Sequence, residues 1–195
     1  MEFLHSDVIP DPAPAEEGGL RQMLIDIFET LILSVVLFLA INAISARIKV
    51  ESISMQPNLY AGDYVIVNKL AYKLGLPKRG DIVVFRYPPD PTQVPYIKRV
   101  MGLPGDRIHI AGGKVYVNDN EIYEPYLTVP TRSGGDWEVP ANSLFVMGDN
   151  RNNSSDSRAW GMVPLGNVIG RGEVVYWPPK DWALLHMDSA AAANP

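Results

Sequence analysis

From Leu24 to Ala46 the chain reads LIDIFETLILSVVLFLAINAISA, apolar at almost every position after Glu29 and free of proline and glycine. A helix over 24–46 rises about 1.5 Å per residue and so extends about 34 Å, enough to cross a hydrocarbon core of about 30 Å. The stretch Leu31 to Ala46 carries no charge, so such a helix has no solvent face, unlike the surface helix of a soluble core. Asp26 and Glu29 fall at its headgroup end. A cleaved signal peptide is the competing reading, because Ala43-Ile44-Ser45 offers small residues at a suitable spacing. The preceding stretch, however, is acidic rather than basic and too long for an n-region. The pattern predicts an uncleaved transmembrane anchor over 24–46.

Beyond the span the period changes. Asp63–Asn68, Asp81–Tyr87, Tyr96–Met101, Arg107–Ile110, Lys114–Val117, Ser143–Met147 and Asn167–Trp177 are short runs rich in Val, Ile and Tyr, separated by Gly, Pro or Asn. Gly112-Gly113 is a hairpin signal. Only Leu70–Leu74 suggests a helix. The expected body, residues 47–183, is therefore mainly β, an irregular barrel or set of coiled sheets. Residues 1–20 hold Pro10, Pro12, Pro14 and a Gly18-Gly19 pair with no periodic apolar face, which predicts a disordered acidic tail. A second disordered tail is expected over 184–195.

Composition sharpens this division. The 195 residues include 17 Lys plus Arg and 22 Asp plus Glu, a formal net charge of −5. Residues 1–30 hold seven acids against one base, Arg21, a net of −6; the remainder holds 16 bases and 15 acids, a net of +1. No basic field suited to nucleic acid survives that split. Cysteine is absent, and the three histidines His5, His109 and His186 are far apart, so no disulfide, metal or cofactor site is expected. Arg47, Lys49 and Lys69 follow the span while only Arg21 precedes it. Taken alone, the positive-inside rule would then place the body in the cytoplasm.

Three polar stretches can carry chemistry: Glu51-Ser52-Ile53-Ser54-Met55-Gln56-Pro57, Tyr96 to Asp106 (YIKRVMGLPGD), and Gly148 to Gly161 (GDNRNNSSDSRAWG). If Tyr96–Val100 is a strand, Tyr96, Lys98 and Val100 share one face. Lys98 there either snorkels to water or is desolvated with a lowered pKa. Ser54 needs a base, and none of the histidines lies in a suitable setting. That leaves a Ser-Lys pair as the candidate nucleophile system. Lowering a lysine from about 10.4 to about 8 takes roughly 3 kcal/mol against its charged form, which burial on an apolar sheet face can supply. The third stretch reads either as a solvated loop, with Asp156 and Arg158 paired across it, or as a rigid hydrogen-bonded wall beside a site.

Taken together, S-M-x-P, then Y-I-K-R-V-x-G-L-P-G-D, then G-D-N-R-x-N-S-x-D-S-R-x-W-G, in that order behind one span, resemble bacterial type I signal peptidase. G-D-x-V-I-V-N-K at Gly62–Lys69 and G-D-I-V-V-F at Gly80–Phe85 extend the likeness, which covers roughly Val50–Trp177. The resemblance implies Ser54 as nucleophile and Lys98 as general base, with Met55 and Pro57 completing the serine motif. It implies Ser52 as the hydroxyl assisting the oxyanion hole beside the backbone N–H of Ser54, and Ser154 as the residue orienting the lysine. Asp149, Asp156 and Arg158 match polar residues bracing the site, and Val50 and Ile97 positions lining small-residue pockets. It further implies a single-pass protein of the cell membrane with its body on the extracytoplasmic side. Such a protein would cut signal-peptide-bearing preproteins after Ala-x-Ala, in contact with lipid and the export machinery. The segment between Asp106 and Gly148 is short, so the large insertion of some Gram-negative members is missing. The flanking charges disagree with that topology, though long domains translocate largely regardless of charge. Eight extended residues from Ala46 to Ser54 reach at most about 27 Å, which keeps the serine near the bilayer. Two rivals are a relative of the self-cleaving repressor peptidases and an inactive membrane-tethered β module. The span and the G-D-N-R loop argue against the first, and intact Ser54 and Lys98 against the second.

Overall fold

A computed structural model describes residues 19–73 and 75–185. The chain divides between Ile41 and Asn42 into two compact units. The first is most of the helix α1, Gly19–Ile44, all of it exposed. It is apolar on every side and is the one helix among the described residues long and apolar enough to cross a membrane. The helix begins earlier than the expected Leu24, because Leu20-Arg21-Gln22-Met23 are good helix formers with no breaker after Gly19. It ends before the expected Ala46, because Ser45 and Ala46 pair with Asn68 and Val67 in a strand. Lys69 takes up freed carbonyls at that end, donating its N–H to Ile44 O at 2.9 Å and its ammonium to Asn42 O at 2.6 Å.

The second unit is built from antiparallel strands. In chain order they are β1 (Ser45–Lys49), β2 (Tyr64–Asn68), β3 (Ile82–Phe85), β4 (Tyr96–Gly102), β5 (Arg107–Ala111), β6 (Lys114–Val117) and β7 (Asn120–Glu121). Then follow β8 (Gly135–Glu138), β9 (Ser143–Met147), β10 (Val163–Pro164), β11 (Val168–Trp177) and β12 (Ala183–Leu184), with a one-turn helix α2 (Ser157–Trp160) before β10. An eight-stranded sheet runs β1-β2-β11-β3-β4-β9-β10 with β12 on β11, and a four-stranded sheet runs β7-β6-β5-β8. Register shifts along β11 and between Val100 and Gly102 of β4 mark irregularities of the kind that bend and coil a sheet. Gly112 and Gly113 take φ of 58° and 85°, the left-handed turn that joins β5 to β6.

Alternation then does the packing. In β3, Ile82 and Val84 enter one apolar cluster with Val50, Met55 and Ile97, while Val83 and Phe85 enter another with Val100 and Val146. β3 is thus buried on both faces, and β4 beside it is buried from Ile97 to Gly102. A third cluster lies between β4 and the small sheet, from Met101 to Ile108 and Phe145. The expected helix at Leu70–Leu74 is instead a turn over its described residues: Asn68 Oδ1 accepts the N–H groups of Leu70 and Ala71 and closes the chain locally. The body extends past 183, since Ala183–Leu184 pair with β11 and Leu185 is buried in the first cluster. The expected tails fall mostly on 1–18 and 186–195, outside the described residues.

Candidate active site

Ser54 follows β1 in a turn pinned on both sides. Val50 and Met55 are buried in the first cluster, and Leu59 N–H donates to Met55 O at 2.9 Å. The apolar residues of the serine motif are therefore its anchors. Lys98 comes from the middle of β4, opposite Val83 of β3. Its neighbours by alternation, Tyr96 and Val100, pack in the same cluster, and Nζ stands 5.5 Å from the Tyr96 ring centroid.

The two side chains meet. Lys98 Nζ donates to Ser54 Oγ at 2.6 Å and to Ile97 O at 3.0 Å. Lys98 is 3% exposed and Ser54 6%. Burial, only partly offset by the charges of Asp156 and Asp149, lowers the Lys98 pKa to about 8. Ser52 Oγ lies 3.0 Å from Ser54 Oγ, so three polar groups converge on one point.

The loop after β9 forms the wall. Asn150 N–H donates to Ser54 O at 3.0 Å, and its side-chain amide to Ile53 O at 3.1 Å. Asp156 caps α2 and accepts the N–H of Gly148 at 3.0 Å. Arg158 grips Asp156 with two bonds of 2.7 Å and donates to Arg151 O at 2.7 Å. Asp149 is buried against Arg99 and accepts from Asn58 Nδ2 at 2.8 Å. Ser154 is also brought to this wall, but its Oγ is shielded from solvent and has no hydrogen-bond partner. Here the Lys98 ammonium is held by Ser54 and a backbone carbonyl rather than by Ser154.

A cleft of about 490 Å³ opens beside the pair, lined by Ser52, Ser54, Tyr96 and Lys98 with Val50, Ile97, Ile48 and Val94. Val50 and Ile97 line this cleft beside Ser54 and Lys98. No cluster of metal-ligating side chains occurs among the described residues.

Four contributors were not singled out by sequence. Arg99 and Asn58 hold Asp149, while Arg151 pairs with Glu124 and donates Nε to Gly148 O at 3.1 Å. Arg99 had one readable signal, a second charge beside Lys98 in a strand of otherwise uncharged residues, which once buried needs an acid.

The family model described as signal peptidase, peptidase S26, matches residues 23–177. A signal peptidase I of Leptolyngbya laminosa is 42% identical over 185 residues, covering 87% of this chain and 89% of the relative. A probable signal peptidase I-2 of Synechocystis sp. is 34% identical over 194 residues, covering 96% of this chain and 88% of the relative. A probable chloroplastic thylakoidal processing peptidase 2 of Arabidopsis thaliana is 38% identical over 150 residues, 71% of this chain and 40% of that one.

Proposed function

The chain belongs to the signal peptidase family, peptidase S26, and on that premise we propose that it removes signal peptides from secretory preproteins through Ser54 and Lys98. The observation that carries the proposal is the 2.6 Å contact between Lys98 Nζ and Ser54 Oγ, both shielded from water. With its proton gone, Nζ accepts the proton of Ser54 as Oγ bonds to the scissile carbonyl carbon. The oxyanion takes hydrogen bonds from the backbone N–H of Ser54 and the hydroxyl of Ser52. Lys98 then returns its proton to the departing amine, the peptide C–N bond breaks, and an ester to Ser54 remains. A water molecule gives a proton to Lys98 as it attacks that ester; the acyl bond to Ser54 Oγ then breaks, Oγ takes the proton back from Lys98, and the signal peptide leaves with a free carboxylate.

Val50 and Ile97 line the cleft beside Ser54 and Lys98, and the substrate residues one and three before the cut pack against them, with alanine preferred over larger groups. Asp149, Asp156 and Arg158 serve as braces. A preprotein emerging from the export machinery would present its cleavage site at the lipid surface, where the short stretch from the span to Ser54 keeps the nucleophile.

We place the body on the extracytoplasmic side of the cell membrane. Protease added outside intact cells should digest the body and spare residues 1–18; full protection of the body would reverse the assignment.

Titration tests the base. Lys98 must be neutral to act, so kcat/KM on a preprotein should rise with pH and level off above about 8. It should fall about tenfold per unit below that. Lys98→Arg should be inactive at every pH, because a guanidinium keeps its proton. A flat profile down to about pH 5 would exclude a lysine base.

A further inference from the structure

Two carboxylates act on Lys98, Asp156 more strongly than Asp149, and both favour its charged form. Each is matched by an arginine with a two-pronged grip. Arg158 donates Nε to Asp156 Oδ1 and Nη2 to Oδ2, both at 2.7 Å. Arg99 donates Nε to Asp149 Oδ1 at 2.8 Å and Nη2 to Oδ2 at 2.7 Å. The Arg99–Asp149 pair is wholly shut off from solvent, with both side chains at 0% exposure. Stability alone is a poor reason for such a pair, since apolar residues of similar volume generally serve as well or better.

Its position suggests another reason. Asp149 sits between Gly148, where a Cβ would fall 2.4 Å from Ser54 O, and Asn150, whose N–H holds that same carbonyl at 3.0 Å. Asn58, in the turn that follows Ser54, fastens the carboxylate from the other side at 2.8 Å. A negative charge is therefore built into the backbone frame of the serine. Arg99 is the residue next to Lys98 on β4, its Nη1 tied to Gly80 O at 3.0 Å and its guanidinium 4.0 Å from the Tyr126 ring centroid. We propose that Arg99 is a positioning residue of the reaction, whose pairing with Asp149 cancels a carboxylate charge that would otherwise hold Lys98 in its protonated, inactive form.

The other groups facing the pair do not replace it. On β4, Lys98 meets the neutral Tyr96 ring; from the segment after β1 it meets the Ser52 and Ser54 hydroxyls. Glu51, Arg47 and Lys49 line the exposed rim of the cleft, where water and salt screen them. From the loop after β9 come Asp156, already matched by Arg158, and Arg151, whose charge is taken by Glu124. Arg99 is the cation bonded to Asp149.

The inference rests on Lys98 being the base, and the test separates the two. Profiles of kcat/KM against pH would be measured on a preprotein with the full-length, detergent-solubilised chain and its variants. The unmodified chain reports the base itself, and a missing limb near pH 8 would sink that reading alone. Given that limb, Arg99→Gln should move it about one unit to higher pH, the scale on which one neighbouring charge acts. Asp149→Asn should move it to lower pH, and Arg99→Gln/Asp149→Asn should return it to the original position or below. Arg99→Lys should hold it near the original. A merely structural arginine predicts lost activity by one factor at all pH values, with the limb unmoved. If Arg99→Gln does not fold, Asp149→Asn and the double variant decide, and a limb that stays fixed or moves to higher pH in Asp149→Asn overturns the proposal.

Discussion

Lys98→Ala should lose at least about 10³-fold in kcat on a preprotein, because a serine hydroxyl without its base is a poor nucleophile and only binding and oxyanion contacts remain. Ser54→Ala should lose as much, and the double variant little more, since the two groups act as one unit. The fold should survive both changes. Lys98 makes no ion pair with the carboxylates around it; its ammonium is held by Ser54 Oγ and Ile97 O. Truncation trades a small cavity against release from an unfavourable buried amine, so the change in stability should stay within about 2 kcal/mol. Circular dichroism and thermal unfolding beside the rate measurement distinguish a dead site from an unfolded protein. A Lys98→Ala chain within tenfold of the unmodified rate would remove the lysine from the mechanism.

Gly148→Ala should be nearly as damaging for a different reason. The glycine's φ lies outside the left-handed region, but an added Cβ would lie 2.3 Å from Ser154 Oγ and 2.4 Å from Ser54 O. Rotation moves Ser154 Oγ but not Ser154 Cβ, 2.6 Å from the added carbon, so the backbone of the loop must shift, and the Ser54 carbonyl can move only by carrying its own hydroxyl with it. Displacement of a reacting group by about 1 Å costs on the order of 10²-fold in rate. The crowding should also cost about 1–3 kcal/mol of stability. Gly166→Ala is the control, since a Cβ there meets nothing within 4 Å. Equal effects at the two glycines would show that the 148 contact has no bearing on the site.

Period and punctuation were enough to reveal the span and most strands of the large sheet, because Val and Ile alternate or run together there and Gly or Pro interrupt them. β1 was hidden: Ser45 and Ala46 extend the apolar run of the span, and only pairing with Val67 and Asn68 tells a strand from more helix. β8 was missed because Gly-Asp-Trp-Glu has little strand propensity; it is held by β5 alone, with Trp137 packed on Phe145. The meeting of Ser54 and Lys98 was readable from chemistry plus motif order, since few other residues could serve a serine. The support behind them was not. Arg99–Asp149 joins positions 50 residues apart, and Arg151–Glu124 joins positions 27 apart, distances at which no local pattern operates. The contact expected of Ser154 is absent: its Oγ has no hydrogen-bond partner and lies 2.3 Å from where a Cβ on Gly148 would be.

The most direct test of the account incubates the full-length, detergent-solubilised chain with a secretory preprotein bearing alanine one and three residues before its scission point. The new amino terminus would be identified by sequencing, with Ser54→Ala run in parallel. One cut is expected, directly after the second alanine, and none by Ser54→Ala. Cleavage by Ser54→Ala at an undiminished rate, or no cleavage by the folded unmodified chain, would contradict it.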